Sequence, residues 1–144
     1  MPLTIRAATA TDKDAVARLW TRAGLTTSYN DPGEDFSFAL GRDGSDVLVG
    51  VSDGKVVASV MVGHDGHRGW LYYVAVDPRC RKRGYGGAIV EAGERWLSER
   101  QIRKVLLLVR DTNTAVVGFY ESLQYEVAPR VVMQKWLVPR PSAA

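Results

Sequence analysis

Residues Arg81-Lys82-Arg83-Gly84-Tyr85-Gly86-Gly87, with Ala88 next, join the apolar run Trp70 to Val76 to a stretch with helical spacing. Such a cationic, side-chain-poor passage from strand to helix can hold a diphosphate. Glycine removes the Cβ atoms that keep a backbone away from a ligand, and the first turn of a helix leaves amide N–H groups without intrahelical partners, so both present donors to an anion. The amides bind and the cations steer. A glycine-rich turn that holds nothing is the plainer alternative.

Two familiar phosphate loops do not fit. A P-loop places Lys and then Ser or Thr after its last glycine, but Gly86 and Gly87 are followed by Ala88 and Ile89. A dinucleotide turn needs a small residue three positions after Gly86, where Ile89 stands.

The elements that must position this turn read in regular order along 144 residues, the length of one domain. Leu3 to Ala7 is a short strand. Thr11-Asp12-Lys13-Asp14 resembles a capping box, and Ala15, Val16, Leu19, Trp20 and Ala23 follow at helical spacing until Gly24. Glu34 to Leu40 is a second helix after the punctuation Asn30-Asp31-Pro32-Gly33. Val47 to Val51 and Val56 to Val62 are strands joined at Asp53-Gly54, and Asp65-Gly66 turns the chain into Trp70 to Val76. A long helix from Ala88 ends near Arg100, Val105 to Val109 is a strand, and Asn113 to Leu123 is the last helix. Tyr125 to Val127 and Val131 to Leu137 are the last strands, with an irregular tail from about residue 138. The order β-α-α-β-β-β-α-β-α-β-β predicts an α/β protein of the mixed α+β kind. Its central sheet is mostly antiparallel, with one parallel pair across the crossover.

Composition narrows the function classes. A hydrophobic share of 46% and a charged share of 24% are ordinary for a globular protein. The N-terminus Met1-Pro2-Leu3-Thr4-Ile5-Arg6 has no apolar h-region and no run approaches bilayer length, so the expectation is a cytoplasmic domain spanning 1–144 with no membrane partner. One cysteine cannot form an internal disulfide. Net charge is only +3, yet Arg79, Arg81, Lys82 and Arg83 fall within five residues, so the basicity is local. A short basic cluster without an interleaved stacking face is a poor nucleic-acid footprint, and no nucleic acid is expected. Nor is a metal.

Arg81-x-x-Gly84-x-Gly86 resembles the acetyl-CoA turn of the GNAT superfamily of acyl-CoA N-acyltransferases. The element order is similar to that superfamily from about residue 3 to 137. Asn113, six residues, then Tyr120-Glu121-Ser122-Leu123-Gln124-Tyr125 resembles a second GNAT segment, with Gln124 where glycine is usual. Tyr29-Asn30-Asp31-Pro32, Gly63 to Gly69 and Tyr72-Tyr73 are similar to the small bacterial YpeA-like acetyltransferases.

The resemblance implies an acetyl-CoA-dependent N-acetyltransferase acting by direct attack of a primary amine, with a small molecule or a protein N-terminus as acceptor. It implies a CoA grip from Arg81, Lys82, Arg83, Gly84, Tyr85, Gly86, Gly87 and Ala88, with Asn113 and Tyr120 also at the cofactor. Backbone groups of Tyr73, Val74, Ala75 and Val76 pair with pantetheine and supply the oxyanion N–H, helped by a β-bulge that the sequence itself does not display. Tyr120 is the candidate catalytic acid, since a phenol with pKa near 10 can donate to a thiolate whose conjugate acid is near 8.5. Packing on an apolar helix face with Val116 and Leu123 is its alternative. For a base, His64, Asp65 and His67, or Asp31, Glu34 and Asp35, stay open, the acidic trio being better suited to attract a cation. Cys80 reads as a bystander. Similar proteins pair their late strands between subunits, which leaves room for a homodimer. A RimI-like protein N-terminal acetyltransferase and a CoA-binding regulatory module are the alternative functions.

Overall fold

The computed structural model describes residues 2–141. Its elements are β1 (Thr4–Ala7), α1 (Lys13–Arg22), α2 (Pro32–Ala39), β2 (Ser45–Ser52), β3 (Lys55–His64), β4 (Gly69–Val76), α3 (Tyr85–Glu99), β5 (Val105–Leu106) and α4 (Thr114–Ser122), with 3-10 turns at Ala10–Asp12 and Pro78–Cys80. Residues up to Leu107 form one compact unit and those from Leu108 a second.

In the first unit five strands lie in the order β1-β2-β3-β4-β5. The first four are antiparallel, and β4 runs parallel to β5. This is the mixed sheet the sequence predicts. Asp53 and Gly54 take φ of 52° and 72°, and Ser52 faces Lys55, so the hairpin between β2 and β3 is a two-residue turn whose twist matches the strands.

Neighbouring residues on β3 show how the layers stack. Ser59 bonds the Trp20 indole of α1, while Val60 lies under Gly93 of α3, so α1 and α3 cover opposite faces. On the first face Val16, Leu19, Trp20 and Phe36 are wholly buried against Val47, Val49 and Ala75. Each such burial is worth about 1.5 to 3 kcal/mol. On the other face a Cβ at Gly69 would stand 2.5 Å from Leu97 Cδ1, so glycine there lets α3 settle directly on β4.

Four sequence expectations need correction. The capping interaction lies two residues earlier than Thr11, where the Thr9 N–H donates to Asp12 at 2.8 Å while Arg6 grips the same carboxylate at 2.8 and 3.0 Å. β5 covers only Val105–Leu106 rather than reaching residue 109, and α3 begins at Tyr85 rather than Ala88. Tyr125 to Val127 and Val131 to Leu137 are not strands but irregular chain, with Val131, Met133 and Leu137 at 89%, 91% and 92% exposure. Their apolar pattern could mark a face, but a strand also needs a ladder partner, and among the described residues these segments have none. The tail is irregular through Pro141, and residues 142–144 lie outside the described residues.

The second unit carries α4. Gln124 takes φ of 73°, its N–H reaches the Glu121 carbonyl, and the Tyr125 N–H reaches the Tyr120 carbonyl at 3.0 Å. This is a Schellman closure built on glutamine, at a local cost of about 1 to 2 kcal/mol relative to an ordinary backbone. Gln124, where similar proteins carry glycine, thus takes the left-handed conformation itself. Among the described residues no helix is long and apolar enough to cross a membrane.

Candidate active site

β4 is regular at its start and broken in its middle. Met61 pairs with Tyr72 and Ser59 with Ala75, so Tyr73 and Val74 together oppose Val60. That is a β-bulge, and Tyr73 adopts φ of 50° to make it. A left-handed tyrosine costs about 1 to 3 kcal/mol and persists only where its surroundings hold it. Three contacts do so. The Tyr73 ring stacks on Trp20 at 3.8 Å and 8°, its hydroxyl donates to Asp35 Oδ2 at 2.7 Å, and the Ser59 hydroxyl donates to its carbonyl at 3.4 Å. Trp20 is itself fixed, because its indole N–H donates to Ser59 Oγ at 2.7 Å.

The parallel ladder between β4 and β5 ends at Trp70 and Leu106. Beyond it the β4 edge from Leu71 to Val76 has no β5 partner, so a ligand's amides can pair with that edge. The resemblance implied a β-bulge in this strand, and the register displays it.

At the end of β4 the chain enters the cationic turn. Asp77 caps the Pro78–Cys80 turn by accepting the Arg79 N–H at 2.9 Å. The same buried carboxylate takes two more bonds from the Arg79 guanidinium, at 3.1 and 2.9 Å, and lies 3.7 Å from Arg22. Arg79, which shares the local basic cluster with Arg81, Lys82 and Arg83, is therefore already engaged. Arg81, Lys82 and Arg83 are exposed and form no ion pair among the described residues. Gly84 then caps α3 with φ of 78°, a conformation that disfavours any side chain, and a 15-residue helix follows. A helix N-terminus opened by a left-handed glycine, with three exposed cations beside it, fits a diphosphate, while the Tyr85 side chain is buried in the core. These residues are the ones the motif identified.

Asp77 was missed in the sequence, although Asp77-Pro78 after a strand is a cap followed by proline at the first turn position. The Arg79 guanidinium, its N–H and the charge of Arg22 hold the carboxyl down at about 2. Its folded pKa lies below the unfolded one, so the stabilisation is present above about pH 4 and disappears as pH falls through about 2. The guanidiniums are solvent-exposed, which limits the gain to about 1 to 2 kcal/mol. Urea unfolding of Asp77→Asn is expected to show a loss of that size at pH 7 that narrows toward pH 2.

The proton-accepting candidates separate in space. Asp31 accepts the Glu34 N–H at 3.1 Å and so caps α2, which carries Asp35 to Tyr73. Asp65 accepts the N–H groups of His67 and Arg68 at 2.9 and 2.7 Å, bonds that hold its pKa below the usual carboxylate range, and His64 Nδ1 accepts the Gly66 N–H. These bonds spend Asp65 and His64 on the turn that reverses the chain at Asp65-Gly66. A cleft of about 510 Å³ lined by Arg42, His64, Asp65, Trp70 and Tyr72 opens there. It sits at the start of β4, roughly 20 Å of strand from the cationic turn, and is not the diphosphate seat. Cys80 is half-buried, with Arg83 Nη1 at 3.9 Å from its sulfur.

In the second unit Asn113 precedes α4 and makes no side-chain cap bond. Tyr120 is partly buried on that helix, edge-on to Tyr125 at 5.6 Å, and burial pushes its pKa up. It stays protonated at neutral pH, the state a proton donor needs.

Comparison with known proteins agrees with this layout. Residues 13–125 match the acetyltransferase (GNAT) family. An acetyltransferase of Pectobacterium atrosepticum is 41% identical over 127 residues, 88% of this chain and 90% of the relative. The solved ribosomal-protein-S18-alanine N-acetyltransferase of Escherichia coli superposes with a TM-score of 0.76 at 26% identity, covering 88% of this chain and 79% of that one. The aminoglycoside acetyltransferase AAC(6')-Iy, solved with a bisubstrate analogue of CoA, shares the fold with a TM-score of 0.81 at 19% identity, covering 96% and 100%. The match to the family over most of the chain, and a relative 41% identical over 88% of it, show that the chain belongs to the GNAT family of acetyltransferases.

Proposed function

We propose that this acetyltransferase moves the acetyl group of acetyl-CoA to a primary amine by direct attack in a ternary complex. The observation that carries the reading is the bulge at Tyr73 and Val74, eleven residues before the left-handed Gly84 that opens α3. It joins an unpaired strand edge to a diphosphate seat on one continuous segment.

Residues divide the work as follows. Gly84 to Gly87 offer main-chain donors to the diphosphate, the Ala88 N–H being already donated to the Gly84 carbonyl at 3.2 Å, and Arg81, Lys82 and Arg83 add charge. A helix terminus alone supplies about 0.3 to 2 kcal/mol, whereas micromolar affinity needs about 8 kcal/mol. Strand pairing along Tyr73 to Val76 and charged hydrogen bonds supply the difference. One N–H of that segment faces the thioester oxygen as negative charge builds on it, and Asn113 belongs to the cofactor contacts. Tyr120 gives its proton to the departing thiolate.

The amine must shed its proton first, at a cost of about 4 to 5 kcal/mol at pH 7 for an alkylamine. Tyr73 cannot take it: burial and the Asp35 hydrogen bond push its pKa above the ordinary phenol value. Exchange with water before attack needs no protein base. Release of free thiol from acetyl-CoA over a panel of amines and peptide N-termini tests the proposal. The expected profile for an alkylamine rises about tenfold in kcat/KM per pH unit from 7 to 9 and persists in His64→Ala and His67→Ala. Acetyl-CoA binding without thiol release across the panel would favour a regulatory module instead. Similarity to the S18-alanine N-acetyltransferase supports protein N-terminal peptides as a second acceptor class within the panel.

A further inference from the structure

Two sequence motifs that the diphosphate site does not use meet at one hydrogen bond. Asn30-Asp31-Pro32 opens α2, with Asp31 as its cap, and α2 carries Asp35; Tyr72-Tyr73 sits in β4 at the bulge. The Tyr73 hydroxyl and Asp35 carboxylate, 38 residues apart, lie 2.7 Å from each other. The bond joins the ring of a backbone-strained residue to a helix whose Phe36 and Ala39 lie in the cluster that Tyr73 packs against.

Every rotatable part of Tyr73 is held. Trp20 fixes the plane of the ring, Ser59 fixes the carbonyl, and Asp35 fixes the hydroxyl. Ser59 is fully buried and bonded to Trp20, so ring and carbonyl are tied through one hydroxyl. The peptide that follows Tyr73 carries the Val74 N–H. Its orientation is set by the Tyr73 backbone torsions, which these contacts impose.

We propose that Tyr73 is a positioning residue for the transfer: the Trp20–Ser59–Asp35 clamp on its side chain and carbonyl aims the main-chain donor of the bulge at the thioester carbonyl. Asp35 thereby couples α2 to the geometry of β4. The inference rests on the acetyl-CoA reading above. Packing alone does not require the hydroxyl bond, because stacking on Trp20 would survive its loss.

The test uses acetyl-CoA labelled with ¹³C at the carbonyl, bound to the parent chain, Tyr73→Phe, Asp35→Asn and the double variant. A donor aimed at the carbonyl polarises it, so the parent should shift the resonance downfield of free acetyl-CoA. Both single variants should move it back toward the free value while binding acetyl-CoA within about twofold of the parent. Where transfer is measured, kcat should fall about 10- to 100-fold with KM for acetyl-CoA little changed. The double variant should resemble either single one, since the two residues share one bond. Amide exchange at residues 73–76 should quicken in the unliganded variants. Trp20→Phe keeps an aromatic partner and gives a second route if Tyr73→Phe folds poorly. An unchanged carbonyl resonance in a folded Tyr73→Phe, or no downfield shift in the parent, overturns the inference and leaves the functional reading standing. A parent chain that binds no acetyl-CoA overturns both.

Discussion

Tyr120→Phe is expected to lower kcat about 100-fold while leaving the Kd for acetyl-CoA within about twofold. The magnitude follows from the role: positioned proton transfer contributes about 10² to 10⁴ in rate, and phenylalanine keeps the ring while deleting the donor. Burial holds the Tyr120 phenol above its ordinary pKa, so the group carries its proton throughout the neutral range. The structural consequence of the change should be small, because the edge-on contact with Tyr125 involves rings only. Stopped-flow thiol detection with one saturating amine, alongside a calorimetric Kd, separates the two roles. A variant that turns over like the parent would reduce Tyr120 to a packing residue on α4.

Replacing Arg81, Lys82 and Arg83 together by alanine is expected to weaken acetyl-CoA binding about 100-fold or more at low salt. A hydrogen bond to a charged partner is worth about 1.5 to 3 kcal/mol, so the loss of even one or two accounts for that factor. The dependence of Kd on salt should flatten in the variant, since screening acts on charges that are no longer present. Because none of the three forms an ion pair among the described residues, stability should change by no more than about 0.5 kcal/mol. Arg79→Ala should behave oppositely, weakening the Asp77 cap rather than ligand binding. Equal effects of both changes on Kd would mean that Asp77 does not divert Arg79 from the ligand.

The cationic turn was legible in the sequence because glycine and arginine act there through local backbone chemistry. So were the β2–β3 hairpin and the order of elements as far as α4, where period-two and helical patterns speak directly. The bulge was not. Trp70 to Val76 is apolar throughout, and an unbroken apolar run gives no sign that one extra residue has slipped the register at Tyr73. The bond from Tyr73 to Asp35 spans 38 residues, and no pattern of spacing reports a contact of that range. Arg79 looked equal to its neighbours until the buried Asp77 claimed it, since burial of the carboxylate depends on how β4 packs. The late apolar segments failed for another reason: apolar content describes side chains, whereas a strand is defined by a backbone partner.

The central claim is that main-chain donors and cations between Arg81 and Ala88 seat the diphosphate of acetyl-CoA. Titration calorimetry with acetyl-CoA and with S-acetylpantetheine, which keeps the thioester arm but lacks the nucleotide and diphosphate, tests it most directly. The account predicts one acetyl-CoA bound per chain in the micromolar range or tighter, and a loss of at least about 100-fold for the truncated thioester, as removal of the anchored group requires. Equal affinities for the two ligands, or no heat with acetyl-CoA, would contradict it.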